Sequence, residues 1–210
     1  MKTCYIFCAL PTRFVPALDE SDLVIAADAG YRQLGGLRAD LVVGDFDSLG
    51  YVPAGENVLV LPDHKDDTDT HYAVKLGLER GYTRFVLLGG VGGRLDHTLA
   101  NIQTLAYLTA RGARGCLAGD EASIAMVQNR ALSFFGEPRG TISVFAQGGT
   151  ACGVTLEGLA YPLDQATVTT DFPIGVSNVF TGKPARVSVA DGRLLVVWEG
   201  SHLDTDLFAE

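Results

Sequence analysis

The sequence has few basic residues and no long apolar run. Its 16 Lys and Arg stand against 25 Asp and Glu, which gives a formal net charge of −9. A chain with this balance has no general attraction to a nucleic-acid backbone or an anionic lipid surface, so neither is an expected partner. The apolar stretch around Cys4 is too short to span a bilayer. We expect a cytoplasmic protein.

Closely spaced cysteines are also absent. Cys4, Cys8, Cys116 and Cys152 lie in or beside apolar runs and lack the CxxC spacing of zinc and redox sites. We therefore predict four reduced, buried thiols with no part in a metal site or a disulfide.

Short apolar runs alternate with helix-like segments in the first half of the chain. Because they are apolar on both faces, these runs predict strands of a sheet that is covered by helices. Helices are predicted over residues 68–80 and 99–112, each ended by a glycine. This alternation is typical of a parallel sheet. The predicted strands are residues 3–9, 23–27, 41–43, 58–61 and 85–88.

After about Gly119 the pattern changes to β-rich segments separated by turn residues. No helix of useful length is indicated there, so an all-β sandwich is predicted. Asp191-Gly192 predicts a hairpin between residues 187–190 and 194–198. The fold class is therefore α/β, with an N-terminal parallel-sheet domain over residues 1–122 and a C-terminal β-sandwich domain over residues 123–210. The other predicted strands are residues 131–135, 141–146, 151–156 and 166–170.

Two acids follow the third predicted strand. Asp45 and Asp47 come directly after the apolar run 41–43, in the sequence GDFDS. In an open α/β sheet the carboxyl ends of the strands form the ligand crevice, so these side chains are expected where a site should lie. The alternative is a turn capped by an Asx side chain.

An acidic loop follows the next strand and precedes the first predicted helix. The sequence DHKDDTD places four acids in residues 63–69. Capping of a helix N-terminus accounts for one or two of these acids, but not for four. Lys65 is a candidate phosphate contact, and Asp69, in the first helical turn, is expected to point back toward the sheet edge.

A glycine-rich turn, residues 89–93, links the fifth predicted strand to the second helix. Glycines let the backbone approach a ligand closely, and a helix N-terminus attracts phosphate. The spacing matches neither the P-loop nor the dinucleotide-binding fingerprint. With Arg94 and Asp96 directly behind it, the turn is a candidate phosphate site.

Asp28, in the sequence AADAG, ends yet another predicted strand. If several of these carboxylates converge within about 5 Å, each pair repels by about 3 kcal/mol at an effective dielectric near 20. Mg²⁺ binds one or two carboxylates together with phosphate oxygens, so it would neutralise such a cluster. We therefore predict a site for Mg²⁺ with a nucleotide, which makes the N-terminal domain a nucleotide-binding domain.

Six short motifs occur in a fixed order along nearly the whole chain: AADAG, GDFDS, KDDTD, GGRLDH, GLAYPL and GVSN. In this order they resemble the thiamin pyrophosphokinase family. The resemblance implies a homodimer with an N-terminal α/β nucleotide domain and a C-terminal β-sandwich that binds thiamine. It also implies transfer of the pyrophosphoryl group of ATP to the hydroxyl of thiamine, which gives thiamine diphosphate and AMP.

The resemblance also implies roles for individual residues. The residues expected to be catalytic and to bind magnesium are Asp45, Asp47 and Asp69, with Asp28 close to the same cluster. The expected ATP site comprises Ser48, Lys65, Thr68, Arg94 and Asp96. The expected contacts to the pyrimidine ring of thiamine, in a site between two subunits, are Tyr161, Ser177 and Asn178.

Two positions depart from the family pattern. Ala29 stands where many relatives have glycine in a DGG turn, and Tyr161 stands where some have tryptophan. Tyrosine still offers a stacking face, with a weaker cation–π attraction for a positively charged ligand. Neither change involves an acid.

Two other functions remain open at this point. An apolar strand that ends in DxDS is also found in haloacid-dehalogenase-like phosphatases, where Asp45 would be the nucleophile. Against this, the acids follow the third strand rather than the first, and an all-β second domain is unexpected. A non-catalytic sensor of a nucleotide or of thiamine is the other alternative, although the chain keeps all the acids, Lys65 and Arg94.

Overall fold

The computed structural model describes residues 2–200 and shows a mixed α/β fold dominated by sheets. The chain divides into two compact units between Asp120 and Glu121, next to the boundary predicted between residues 122 and 123. The strands of the first unit are β1 (Cys4–Phe7), β2 (Leu23–Ala27), β3 (Leu41–Gly44), β4 (Val58–Val60), β5 (Arg84–Leu88) and β6 (Arg114–Ala118). Its helices are α1 (Asp69–Glu79), α2 (Leu95–Thr109) and a 3₁₀ helix, Asp28–Gln33.

The strands of the first unit form a parallel sheet in the order β6-β5-β1-β2-β3-β4. The residues of β2 are all buried, as are most of those in β5 and β6, which explains why these strands are apolar runs rather than alternating ones. Because every strand runs in the same direction, the carboxyl ends of β2, β3 and β4 lie at one edge of the sheet. This edge receives the acids that follow those strands.

Helix α1 begins at a capping side chain, whereas α2 begins without one. Thr68 caps α1, since its hydroxyl oxygen accepts a hydrogen bond from the backbone N–H of His71 at 3.1 Å. The second helix, α2, begins at Leu95, four residues before the predicted start. Residues 96–98 in its first turn are polar, so the apolar pattern that begins at Leu99 does not extend clearly to the start of α2.

The second unit consists of antiparallel strands in two sheets. One sheet has the order β12-β9-β14-β7 and the other β11-β10-β13-β8. Phe134 in β8 packs edge-to-face on Trp198 in β14, with ring centroids 5.4 Å apart, so the two sheets share a core. The strands are β7 (Ala122–Gln128), β8 (Ala131–Phe134), β9 (Thr141–Ala146), β10 (Ala151–Glu157), β11 (Leu163–Val168), β12 (Asn178–Val179), β13 (Ala185–Ser188) and β14 (Arg193–Glu199).

The predicted hairpin at Asp191-Gly192 is wrong. Strand β13 pairs with β8 and β10, whereas β14 pairs with β7 and β9, so the turn carries the chain from one sheet to the other. Gly192, at φ +107°, donates its N–H to the side chain of Asn129. Turn-forming residues mark a reversal of the chain, but they do not determine which strands pair.

The prediction of a buried Cys152 is also wrong. Cys4, Cys8 and Cys116 are buried free thiols, but Cys152 is exposed. Its neighbours Ala151 and Val154 face the core, and the pairing of β10 with β11 shifts register between them. The shift, with Gly153 at φ +64°, turns Cys152 outward. Burial raises the pKa of the Cys8 and Cys116 thiols to about 12, so these two stay protonated.

No helix within residues 2–200 is long and apolar enough to cross a membrane. Strands β6, β7 and β12 were not predicted from the sequence. Strand β12 has only two residues, and Gly119, Asp120 and Glu121, which resemble loop sequence, lie between β6 and the seven-residue β7.

Candidate active site

Three carboxylates converge at the carboxyl edge of the parallel sheet. Asp28 directly follows β2, and Asp45 and Asp47 directly follow β3. Each offers one oxygen that lies within 4.8 Å of the corresponding oxygens of the other two. Asp69 is not a member of this group, which is the only one of its kind among residues 2–200.

The backbone is bent sharply on both sides of the cluster. Asp28 has φ +47° and Phe46, between the two acids of β3, has φ +62°; both are left-handed conformations that cost energy for residues with a Cβ. Phe46 is buried and anchors its turn. A Cβ added at Gly44 would lie 3.0 Å from Cβ of Asp28, so glycine allows the turn after β2 to approach β3.

Asp28 is buried without a partner for one of its oxygens. The residue is 8% exposed, and its Oδ1 accepts no hydrogen bond. An isolated buried carboxylate oxygen is costly, and the neighbouring carboxylates add repulsion to that cost. This arrangement suits a ligand of a cation better than a packing role.

Lys65 is the counter-ion of the cluster. Its Nζ donates a hydrogen bond to Oδ2 of Asp45 and lies 3.2 Å from Oδ1 of Asp69, and its side chain is only 14% exposed. Burial acts to lower the pKa of Lys65, but the contacts with Asp45 and Asp69 raise it above its ordinary value. The hydrogen bond from Lys65 holds the pKa of Asp45 below its ordinary value. This pair is therefore charged.

Asp69 is the first residue of α1 and contacts the cluster through Lys65. Burial raises the pKa of its carboxyl group, and the charges of Asp45 and Asp28 add to the increase, while Lys65 opposes it. Its Oδ1 is buried and accepts no hydrogen bond in good geometry, so the contact with Lys65 is ionic. Asp69 therefore adds a second buried oxygen that lacks a full partner.

One cavity of about 310 Å³ contains the cluster. All of the predicted first-unit site residues except Asp96 line it, and Ser48 donates its hydroxyl to Oδ1 of Asp47 at 3.0 Å. The lining also includes residues that were not predicted, among them the titratable residues Asp63, Asp67 and His97. Asp63 and Asp67 belong to the acidic loop and His97 ends the GGRLDH motif, so their position in these motifs was the available signal.

The glycine-rich turn brings Arg94 to this cavity. Gly89 has φ +68°, and a Cβ there would lie 1.9 Å from the carbonyl oxygen of Leu10, so only glycine fits. Arg94 makes two hydrogen bonds to Asp96, of 3.1 and 2.6 Å, and both side chains are well exposed, at 71% and 65%. Asp96 also accepts from the N–H of His97, so this acid serves the start of α2 and Arg94 rather than the cavity.

A second cavity, of about 400 Å³, lies within the second unit. Tyr161, Ser177 and Asn178 all line it, together with Ile174 and Val176. Tyr161 is 68% exposed, which leaves its ring free to contact a ligand.

Asn178 is engaged in holding the loop that carries Tyr161. Its Oδ1 accepts from the N–H of Tyr161 at 3.0 Å, and its Nδ2 donates to the carbonyl oxygen of Tyr161 at 2.6 Å. Oδ1 also accepts from the N–H of Val179. Asn178 is itself buried, so its amide fixes the position of the tyrosine.

The residues present fit a divalent cation. The cluster offers only oxygen atoms, which is the ligand type that Mg²⁺ prefers, and it includes the unpartnered Oδ1 of Asp28. Asp28, Asp45 and Asp47 are the residues that would hold the ion. Asp69 lies next to them, and its role as a metal ligand stays a prediction.

The fold and this site define a two-unit protein of the mixed α/β class, with an acidic cavity suited to a divalent cation at the edge of a parallel sheet. Residues 14–117 match the family model "Thiamin pyrophosphokinase, catalytic domain", and residues 135–194 match "Thiamin pyrophosphokinase, vitamin B1 binding domain". The two models place the acidic cavity in the first domain and the Tyr161 cavity in the second. The chain belongs to the thiamin pyrophosphokinase family.

Individual relatives agree with this assignment. The thiamine pyrophosphokinase of Bacillus subtilis (strain 168) is 28% identical, over 94% of this chain and 98% of its own length. Thiamine pyrophosphokinase 1 of Oryza sativa subsp. japonica is 25% identical, over 84% of this chain and 79% of its own length. The crystal structure of the Bacillus subtilis protein has a TM-score of 0.81 at 24% identity, over 95% of this chain and 100% of that one, which shows a shared fold.

The family predicted from the six motifs is therefore confirmed, and the enzyme class of that family, ATP-dependent diphosphotransferases, is confirmed with it. Neither the phosphatase nor the non-catalytic sensor finds support in these comparisons.

Proposed function

We propose that this chain is an enzyme that transfers the pyrophosphoryl group of ATP to the hydroxyl of thiamine, and that the cavity around Asp28, Asp45 and Asp47 is where the transfer takes place. The observation that carries the proposal is the convergence of three carboxylates within 4.8 Å in the part of the chain that matches the catalytic-domain model. Transfer of phosphoryl-type groups depends on positioning and on neutralising charge, and this cavity has the groups for both.

The proposed ATP site has acids on one side and cations on the other. Asp28, Asp45 and Asp47 would hold Mg²⁺, with Asp69 beside them. When bound, Mg²⁺ would supply positive charge that offsets the negative charge of the phosphates during transfer. Lys65 and Arg94 would bind the phosphates, while the hydroxyl of Ser48 orients Asp47. Thr68 supports the site as the cap of α1, and Asp96 orients Arg94.

The reaction that we propose is a single in-line displacement. The hydroxyl oxygen of thiamine forms a bond with the β-phosphorus of ATP and loses its proton to a carboxylate of the cavity, while the bond between that phosphorus and the oxygen bridging to the α-phosphorus breaks. AMP leaves with the bridging oxygen. The products are thiamine diphosphate and AMP, and no phosphorylated enzyme is needed.

We further propose that the first unit is a nucleotide-binding domain and the second a β-sandwich that binds thiamine. The exposed ring of Tyr161 would stack on the pyrimidine, Ser177 would offer it a polar contact, and Asn178 would act mainly by holding Tyr161. The predicted homodimer is kept as a proposal, with the Tyr161 cavity of one copy serving the acidic cavity of the other. The three buried thiols suit a reducing compartment, which supports the proposed cytoplasmic location.

Phosphorus NMR of the protein with ATP, Mg²⁺ and thiamine tests the function directly. We expect AMP and thiamine diphosphate in equal amounts, and no AMP when thiamine is left out. Asp47→Asn keeps the shape of the side chain but removes a charge from the cluster, and should lower the rate by about 100-fold or more. Glu137→Gln is the matched control, because Glu137 is 74% exposed and pairs with Arg139, away from the cluster acids.

Each other outcome of this assay has a distinct meaning. Formation of ADP would show monophosphate transfer, and release of phosphate without thiamine would show hydrolysis. Either result would overturn the proposed reaction, and an unchanged rate in Asp47→Asn would overturn its assignment to the acidic cluster.

A further inference from the structure

Lys65 occupies the carboxylates that a metal ion would need. Its ammonium group donates to Oδ2 of Asp45 and lies 3.2 Å from Oδ1 of Asp69. The other oxygen of Asp45, Oδ1, accepts the N–H of Asp47 at 3.3 Å. Both oxygens of Asp45 therefore have partners, and one of those partners is itself a cation.

A metal ion and this ammonium group compete for the same place. An ion held by Asp28, Asp45 and Asp47 would lie within a few ångströms of Nζ of Lys65, because that nitrogen is hydrogen-bonded to one of the three ligands. The repulsion between a unit charge and a divalent ion about 5 Å apart lowers affinity by more than tenfold even at the dielectric constant of bulk water. In a mostly buried site the repulsion is stronger.

Lys65 can leave the acids only if another anion receives it. Its side chain is 14% exposed, so moving the ammonium away without a partner would leave Asp69 uncompensated and the ammonium poorly solvated. The phosphates of a nucleotide would supply such an anion in the same cavity. Arg94 differs in this respect, since its partner Asp96 does not line the cavity and both side chains are well solvated.

We propose that Lys65 is an internal counter-ion that excludes free divalent ions from the Asp28–Asp45–Asp47 cluster until nucleotide phosphates draw it away. Metal and nucleotide then bind as one event, and the empty cluster stays neutralised by the protein itself. This inference rests on the proposed function, because it takes the nucleotide to be the anion that releases Lys65.

The test is direct binding of Mn²⁺ alone, measured by electron paramagnetic resonance or calorimetry on the full chain. Lys65→Met keeps the length of the side chain and removes its charge. Without nucleotide, we expect Lys65→Met to bind Mn²⁺ at least about tenfold more tightly than the wild type. With α,β-methylene ATP, which cannot be cleaved at the reacting bond, the wild type should gain more Mn²⁺ affinity than the variant.

Lys75→Met is the matched control. Lys75, in α1, forms an ion pair at 2.7 Å with Asp67, which lines the cavity but is not one of the three cluster acids. Its removal changes the net charge equally and leaves the hydrogen bond between Lys65 and Asp45 in place. We expect its Mn²⁺ affinity to stay close to that of the wild type. Lys65→Gln, which keeps a hydrogen-bond donor, guards against loss of structure in the methionine variant, and circular dichroism checks the fold of each protein.

The outcomes separate this inference from the function on which it rests. Equal nucleotide-free Mn²⁺ affinities of wild type, Lys65→Met and Lys65→Gln would overturn the role of Lys65, while metal binding with the nucleotide analogue would leave the proposed function standing. If Lys75→Met gains as much Mn²⁺ affinity as Lys65→Met, net charge alone explains the gain, and the proposed role of Lys65 is overturned. Absence of Mn²⁺ binding in every protein, even with the analogue, would overturn the metal site and the inference together.

Discussion

Without metal, the variant Asp28→Asn should be more stable than the wild type. With metal and nucleotide bound, it should be less stable than the wild type. The carboxylate of Asp28 is buried, and its Oδ1 has no hydrogen-bond partner. Asparagine has the same shape and tolerates the left-handed conformation, φ +47°, that this position requires. The substitution therefore removes one negative charge and changes little else.

The size of the effect follows from the distances in the cluster. Two unit charges 4.8 Å apart repel by about 3.5 kcal/mol at an effective dielectric of 20. Asp47 is exposed, so solvent screens most of its share, and the charge on Lys65 opposes the remainder. We expect a net gain of about 1–3 kcal/mol, which is the part of the repulsion that remains after screening by solvent and by Lys65. For a chain of this length each kcal/mol raises the Tm by about 2–4 °C.

Calorimetry in EDTA at low ionic strength measures the gain, with Glu137→Gln as the control for loss of one negative charge. Addition of Mg²⁺ with α,β-methylene ATP should then give the wild type a higher melting temperature than Asp28→Asn. A ligand at a hundredfold excess over its Kd stabilises the protein that binds it by about 2.7 kcal/mol, and the variant lacks one of the three carboxylates. The wild type should therefore gain more than Asp28→Asn.

One result would refute this reasoning outright. If Asp28→Asn in EDTA melts at the same temperature as the wild type, or below it, then Asp28 is compensated in the folded protein and the cluster is not a strained cation site. A stabilisation that also appears in Glu137→Gln would point to net charge alone.

Two further predictions concern the second unit. If the active site is shared between two copies, mixing Asp47→Asn with Tyr161→Ala should restore up to about a quarter of wild-type activity. Half of the dimers are then mixed, and each mixed dimer has one intact site. If activity does not recover after confirmed subunit exchange, the site is not shared. Asn178→Ala should destabilise the protein by about 1–3 kcal/mol by leaving the N–H and carbonyl of Tyr161 without partners, and should raise the KM for thiamine while the KM for ATP stays constant. Asn178→Asp keeps the acceptor oxygen, so its stability and its KM for thiamine should lie between those of the wild type and Asn178→Ala. A change confined to kcat would argue against a positioning role for Asn178.

The place of the candidate site could be predicted because it depends on local sequence and on one general rule. Each acid directly follows an apolar run, and parallel strands bring their carboxyl ends to one edge. The acids after β2 and β3 therefore had to approach one another. The sequence could not show which of them come closest, since that depends on the left-handed turns at Asp28 and Phe46, which no residue type at those positions requires.

The pairing of side chains could be predicted less well than their location. Lys65 was expected to contact phosphate, and nothing in the sequence indicated that it would hydrogen-bond Asp45, twenty residues earlier. Thr68 was assigned to the ATP site, yet its hydroxyl caps α1. The partner of Lys65 is set by the geometry of a turn that no short motif encodes, whereas a threonine at the predicted start of a helix is itself an N-cap signal.

The second unit shows the same limit at the level of strands. Asp191-Gly192 has the residue types of a hairpin turn, but the flanking strands pair with four other strands in two sheets. Local turn preference is worth less than the burial of Trp198 against Phe134 in the shared core. Which strands become neighbours is therefore decided by packing between distant residues.

The stability and the chemistry of the first unit are coupled through the same few groups. Buried, unpartnered oxygens on Asp28 and Asp69 reduce the stability of the metal-free fold, and Lys65 limits that cost by neutralising the acids. A tighter internal counter-ion would give a more stable protein that binds metal less readily, and a weaker one would leave the cluster open to any free divalent ion. The single lysine between Asp45 and Asp69 satisfies both demands only if the nucleotide brings the charge that replaces it, which ties the folding energetics of this edge of the sheet to the order in which its substrates bind.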